Sequence, residues 1–119
     1  MVERVAGRRD LISRLVLRLM NATNDVEQRK AYLLLVRGMA HYDMSAFEEA
    51  DWDLSQAYEL LPQQRVKDRT EIAYYLAFVK VRLGRPKEAR RLATEARSGF
   101  VATGGDVAAA DRILSDIGG

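Results

Sequence analysis

Apolar residues recur at intervals of three and four positions along most of this chain, which is the spacing of one face of a helix. No segment has the two-residue alternation that predicts a strand. The pattern predicts six helices, over residues 8–22, 26–43, 46–60, 66–83, 86–101 and 106–117. Connections this short favour antiparallel neighbours, so the predicted fold class is all-α with about six antiparallel helices.

Turn-forming residues lie between the predicted helices. Pro62 cannot continue the third helix, and Pro86 suits the first position of the fifth. Gly104 and Gly105 end that fifth helix, and Asp106 is a suitable N-cap for the sixth. These residues set the expected ends of the helices.

Small residues recur at fixed intervals on these helices. Gly38 is followed twelve residues later by Ala50 and seven residues after that by Ala57. The same intervals return 39 residues further along, at Ala77, Ala89 and Ala96. Small side chains at such positions allow helix backbones to approach closely. Each helix pair then needs a stacked neighbour to cover its apolar face.

Residues 31–64, with Phe47-Glu48-Glu49-Ala50 and Pro62, resemble the tetratricopeptide repeat family. Residues 70–103, with Leu76-Ala77, Gly84, Glu88-Ala89 and Ala96, are similar to the same repeat. The resemblance implies a single domain over residues 1–119, folded as an α-α superhelix of helical hairpins. In it, 8–22 is an N-terminal helix, and 106–117 is a capping helix or part of a third repeat.

A second, weaker resemblance is to the tail-anchored mitochondrial fission adaptors. It is carried by Glu59-Leu60-Leu61-Pro62, Asp68-Arg69 and Tyr74-Tyr75-Leu76-Ala77. That resemblance implies two such hairpins with capping helices, which recruit proteins to a membrane. Those adaptors also carry a hydrophobic tail, which has no counterpart after Gly119.

Composition limits the class of protein. The chain has 119 residues, 48% of them hydrophobic and 30% charged, which favours one folded domain. It has no cysteine, so disulfides and thiolate metal sites are excluded. No apolar run approaches the roughly 18 residues that predict a membrane span, and the N-terminus lacks the apolar stretch of a signal peptide. We therefore expect a cytoplasmic protein.

Charge is distributed in blocks. Residues 41–62 contain six acidic residues and no lysine or arginine, whereas residues 63–100 contain ten bases and four acids. We expect the acidic helix 46–60 and the basic helix 86–101 to form salt bridges as neighbours. Head-to-tail self-association of the two blocks is the alternative. Nucleic-acid binding is not expected, because aromatic residues are not interleaved with the bases.

The sequence offers little catalytic chemistry. His41 is the only histidine, and no Gly-x-Ser-x-Gly turn accompanies it. Gly104-Gly105 lacks the Lys-Ser/Thr of a phosphate-binding loop. The acidic residues around Glu48 follow one another too closely on a helix to converge on a metal ion. We predict no enzymatic activity, no cofactor and no metal site.

In the tetratricopeptide repeat family the first helix of each hairpin lines a concave groove. The resemblance assigns eight positions to this predicted groove: Tyr32, Leu35, Met39, Tyr42, Glu71, Tyr74, Phe78 and Val81. Their apolar character favours an amphipathic helix or apolar peptide as ligand. In the alternative, these residues fill the core, or a terminal helix occupies the groove.

Trp52 lies between Asp51 and Asp53 and is predicted to belong to a second interaction surface. The alternative is that it packs beneath the N-terminal helix. The first functional hypothesis is a non-enzymatic adaptor, scaffold or chaperone-like subunit that binds a protein or peptide partner in the groove. A homo-oligomeric structural module, a regulatory fragment and the soluble part of a membrane adaptor are the alternatives.

Overall fold

The structure, a computed structural model, describes residues 13–14, 16–17 and 26–118. Its regular secondary structure within these ranges is entirely helical, which confirms the all-α prediction. The helices are α1 (Val26–Asp43), α2 (Phe47–Leu60), α3 (Val66–Arg82), α4 (Pro86–Thr103) and α5 (Val107–Ile117). All five begin and end within two residues of the predicted positions. Of the predicted helix 8–22, the described residues Ser13, Arg14, Val16 and Leu17 are helical, and the rest lies outside the described residues.

Local chemistry sets the ends of these helices. Leu61, which precedes Pro62, is extended (φ −70°, ψ 136°) and ends α2. Pro86 lies in the first turn of α4, and Gly104 ends that helix with a φ of +73°, in the left-handed region. The Asp106 side chain accepts a hydrogen bond of 3.0 Å from the backbone N–H of Ala109, which confirms the predicted N-cap of α5.

The helices pack as two pairs and a final helix. α1 packs on α2 and α3 packs on α4, each pair being joined by a short turn, and α2 also contacts α3. α5 packs mainly on α4. One connected core runs through this arrangement, from Tyr32 and Leu35 of α1 through Leu54 and Ile72 to Ile113 of α5. The described part of the chain therefore shares a single hydrophobic core.

Residues without bulky side chains lie where helices meet. A Cβ atom added to Gly38 would lie 2.7 Å from Leu54 Cδ2, so α1 and α2 approach too closely for a larger residue. A Cβ atom on Gly99 would lie only 1.9 Å from Thr70 Oγ1, where α4 crosses α3. The alanines at the repeat intervals are all inaccessible to solvent: Ala50, Ala57, Ala77, Ala89 and Ala96. The close approach predicted at Gly38 is confirmed, and the alanines of the repeat intervals are buried.

None of the described helices combines the length and the apolar composition needed to cross a bilayer.

The contact at Gly99 predicts an unusual effect of a glycine-to-alanine substitution. Such a change in an open helix stabilises it by about 1 kcal/mol. In Gly99→Ala the new methyl group on α4 would collide with the Thr70 side chain on α3. Because this side chain is short, rotating it does not clear the contact. We expect the free energy of unfolding to fall by about 1–3 kcal/mol. Urea unfolding followed by circular dichroism measures this change.

The matched control is Ser98→Ala, which alters the exposed neighbouring residue on the same helix. Its effect should stay within about 0.5 kcal/mol. A Gly99→Ala protein as stable as the wild type would show that α3 and α4 do not approach each other this closely.

Candidate functional site

Three residues of the predicted groove are core residues. Tyr32, Leu35 and Met39 have no solvent-exposed surface. Their prediction as contact residues is therefore corrected, because a partner cannot reach them in this conformation. The physical reason is that apolar side chains at helical spacing gain most by covering neighbouring helices. The polar end of Tyr32 is satisfied there, since its hydroxyl donates a hydrogen bond of 3.1 Å to Asp68.

A buried carboxylate joins the N-terminal helical segment to the edge of the predicted groove. Asp68 is 1% exposed, and Arg14 Nε donates to its Oδ1 at 3.0 Å. Arg14 Nη2 also donates to Glu71 Oε2 at 2.6 Å. Burial lowers the pKa of Arg14, but the hydrogen bonds to Glu71 and Asp68 outweigh it and the pKa is raised. Glu71, another predicted groove position, is therefore engaged within the chain.

Three of the four remaining groove positions belong to a cluster of aromatic rings. Tyr42, Tyr74 and Phe78 are half-buried. Tyr74 makes edge-to-face contacts with Phe78 and with Phe100 of α4, at centroid distances of 5.3 and 5.8 Å. Tyr75, itself buried, contacts both Tyr74 and Tyr42. We call this set the aromatic cluster: Tyr42, Phe47, Tyr74, Tyr75, Phe78 and Phe100.

Val81 lies three residues beyond Phe78 on α3 and is 40% exposed. That spacing places both side chains on the same face of the helix. Next to it in the chain, the Arg82 guanidinium lies 5.9 Å from the ring centroid of Phe47. The structure thus brings four predicted groove residues, Tyr42, Tyr74, Phe78 and Val81, to the carboxyl-terminal halves of α1 and α3.

Trp52 lines an open cleft on α1 and α2. The indole is 62% exposed. The alternative, that it packs beneath the N-terminal helix, concerns residues 8–22, most of which lie outside the described residues. The cleft has a volume of about 300 Å³. Its lining residues are Arg37, His41, Glu48, Glu49, Trp52 and Asp53. We call it the Trp52 cleft.

A buried carboxylate, bound by two other side chains, lies at the base of the Trp52 cleft. Asp53 is 1% exposed, and Arg37 binds it through Nε to Oδ2 at 2.9 Å and Nη2 to Oδ1 at 2.7 Å. His41 Nδ1 lies 2.9 Å from the same Oδ2. Burial raises the pKa of Asp53, but the hydrogen bonds from Arg37 and His41 outweigh it and the pKa lies below its ordinary value. His41 therefore orients a carboxylate.

Sequence reasoning missed the roles of Arg37 and Asp53. A usable signal was present, because Arg37 and His41 are four residues apart and share one face of α1. The residue that both of them bind, Asp53, lies on α2. Their pairing therefore depends on how the two helices pack, which the sequence pattern does not show.

Ion pairs join the first helix pair to the second. Lys80 Nζ lies 2.8 Å from Asp51 Oδ1 and 2.8 Å from Glu88 Oε2, and Arg85 Nη1 donates to Asp51 Oδ2 at 3.0 Å. Burial lowers the pKa of Lys80, but hydrogen bonds to the two carboxylates raise it above its ordinary value. Of the predicted pairing between helix 46–60 and the basic residues around helix 86–101, the described residues show the part made by Arg85, the N-cap of α4, which pairs with Asp51 and lies 3.8 Å from Glu48. Lys80, the other cation of this seam, belongs to α3.

The basic residues within α4 are not part of this seam. Arg97 pairs with Asp111 of α5 at 2.7 Å, whereas Lys87, Arg90 and Arg91 are exposed and form no ion pair with the described residues. Only Tyr58 of α2 reaches α4 by a hydrogen bond, from its hydroxyl to Glu95 Oε2 at 2.5 Å. Within the described ranges, no group of three His, Asp or Glu side chains is arranged to hold a metal ion.

Comparison with known proteins assigns no family to this arrangement. No protein-family model matches the chain, and neither the curated proteins nor the solved structures compared with it gave a significant match.

The clamp on Asp53 predicts a pH-dependent contribution to stability. Because its pKa is lower in the folded chain than in the unfolded one, ionised Asp53 stabilises the fold above the unfolded value of about 3.9. This stabilisation is lost as the pH falls through the lowered pKa of the folded state. Arg37→Met removes a principal cause of the lowering. We expect the variant to be less stable than wild type at neutral pH, with a difference that shrinks below about pH 4.

Urea unfolding at about pH 7, 5 and 3 measures that difference. The control is Arg90→Met, which removes an exposed arginine that has no carboxylate partner among the described residues. A deficit of Arg37→Met that stays constant over the whole pH range would contradict the clamp.

Proposed function

We propose that this chain is a tetratricopeptide-type interaction module, which binds a polypeptide and catalyses no reaction. The two helix pairs would act as hairpins that stack into an α-α superhelix, with α5 as a capping helix or the start of another repeat. The placement of the small residues supports this proposal. Gly38 and the five alanines of the repeat intervals are all buried where helices meet, which is the role that stacked repeats require.

The aromatic cluster carries the proposal of polypeptide binding. Its half-buried rings, together with Val81, form an apolar surface across the first helices of both pairs. Apolar surface that is still partly in contact with water gains free energy when a ligand covers it. Aromatic residues in edge-to-face contact are also rigid anchors, and such residues dominate the energetics of protein interfaces.

The contacts of the N-terminal segment limit the extent of this surface. Arg14 binds Asp68 and Glu71 at the beginning of α3, and Tyr32 donates to the same Asp68. A ligand would therefore contact the other end of the predicted groove, around Phe78 and Val81. A surface of this length suits two or three turns of an amphipathic helix, whose apolar residues recur every three or four positions.

Val81 provides a sharp test, because Val101 is a matched control. Each valine lies in the last turn of its helix, and they are 40% and 61% exposed. Lysine is favourable near the carboxyl end of a helix, so Val81→Lys and Val101→Lys should both fold normally. Peptides selected from a random library on the wild-type protein should show the amphipathic pattern. We expect Val81→Lys to weaken their binding by about tenfold or more, equivalent to ~1.4 kcal/mol.

Isothermal titration calorimetry measures the affinities. NMR perturbations should map to Tyr74 and Phe78, and Val101→Lys should bind as the wild type does. Equal loss of binding in both valine variants, or perturbations away from the aromatic cluster, would refute the groove as the binding surface.

A further inference from the structure

The Trp52 cleft carries negative charge that its own residues do not neutralise. Three acidic residues line it against one guanidinium, so the formal charge of these four side chains is −2, and His41 and Trp52 complete the lining. Arg37 is engaged with Asp53 through two nitrogen atoms. Among the described residues, Glu48 forms an ion pair only with Arg85, at 3.8 Å, and Glu49 forms none. Two exposed carboxylates therefore lie beside an exposed indole ring.

The second helix pair contains residues that correspond to those lining the Trp52 cleft. At a displacement of 39 residues, Leu76, Lys80 and Leu92 correspond to Arg37, His41 and Asp53. These three residues of the second pair are buried, and Lys80 binds Asp51 of the first pair. The counterparts of the other three lining residues, Glu48, Glu49 and Trp52, are Lys87, Glu88 and Arg91, which are exposed. One half of the cleft therefore corresponds to a covered surface of the second pair, and the half with Trp52 corresponds to an exposed one.

The two surfaces differ in charge at most of these positions, but both have a glutamate at one of them, Glu49 and Glu88. Glu88, the counterpart of Glu49, is neutralised by Lys80 at 2.8 Å. The counterpart of Lys80 is His41, whose Nδ1 is directed to Asp53. Glu49 thus has no ion-pair partner among the described residues, whereas Glu88 has one, and a cation on a partner would meet an unpaired carboxylate there.

We propose that the Trp52 cleft binds an arginine side chain presented by a separate polypeptide partner. A cation is attracted to the face of an aromatic ring, and tryptophan is the ring that attracts it most strongly. The planar guanidinium can lie on the indole while its N–H groups donate to the carboxylates of Glu48 and Glu49. Arg37, clamped on Asp53, forms a fixed wall of the site. This site uses none of the residues of the aromatic cluster.

Trp52 is the only tryptophan of the chain, so its fluorescence and its indole N–H resonance report directly on the site. The probe is the acetylated, amidated tripeptide Gly-Arg-Gly. Its control is the same tripeptide with citrulline, a neutral side chain of nearly the same shape. We expect saturable changes with the arginine probe, with a dissociation constant of about 1–10 mM for a single side chain. Citrulline should bind about fivefold to tenfold more weakly.

The double variant Glu48→Gln/Glu49→Gln should weaken arginine binding by a similar factor. Its control, Glu59→Gln/Asp116→Asn, removes two exposed acids outside the cleft and should bind as the wild type does. Circular dichroism establishes that both variants fold. Absence of saturable change, equal binding of citrulline, or equal weakening by both double variants would overturn the proposal.

A second copy of this chain is the competing occupant, because Lys87, Arg90 and Arg91 are exposed on α4. Sedimentation and Trp52 fluorescence, measured without probe over a range of protein concentrations, test it. We expect the protein to remain monomeric. Concentration-dependent association that is abolished by Glu48→Gln/Glu49→Gln would assign the cleft to self-assembly and overturn binding of a separate partner.

Discussion

Close contact between helices at residues with small side chains is the constraint on which the rest of this structure depends. α1 meets α2 where Gly38 faces Leu54, and α4 meets α3 where Gly99 faces Thr70. An added Cβ atom at either glycine would overlap its neighbour. Because the backbones approach so closely, large residues further along the same helices can cover one another without leaving space. Packing in turn determines which polar groups are withdrawn from water.

Three carboxylates show the consequence for charge. Asp53, Asp68 and Asp51 each lie between helices or beside the N-terminal segment, and each is bound by a cation from another element. A buried carboxylate without such a partner would be costly, so these pairs specify which elements meet. They connect α2 to α1, the N-terminal segment to α3, and α2 to α3. Their specificity complements the hydrophobic contacts, which by themselves have no direction.

Two chemically different surfaces remain on this framework. The aromatic cluster, on α1 and α3 with Phe47 and Phe100, is apolar, with Tyr75 and Phe100 buried and the other four rings half-buried. The Trp52 cleft, on α1 and α2, combines an exposed indole with two exposed carboxylates. The ligands proposed for them differ, an apolar helix for one surface and a guanidinium for the other, so a single partner could engage both only by presenting both kinds of group. Such a requirement would make binding more selective than either surface alone.

The sequence by itself determined the helices and their ends, because periodicity, Pro62, Pro86, Gly104 and Asp106 act within a few residues of where they stand. It also predicted the close contact between α1 and α2 at Gly38, because small residues at regular intervals allow helix backbones to approach each other. The contact at Gly99 was not predicted from the sequence. Only the tertiary structure decided which of the apolar side chains are exposed to solvent. Tyr32, Leu35 and Met39 share the apolar spacing of Phe78, yet they are fully buried. Burial and ion pairing depend on which other helix covers a given face, and residues distant in the sequence supply that cover.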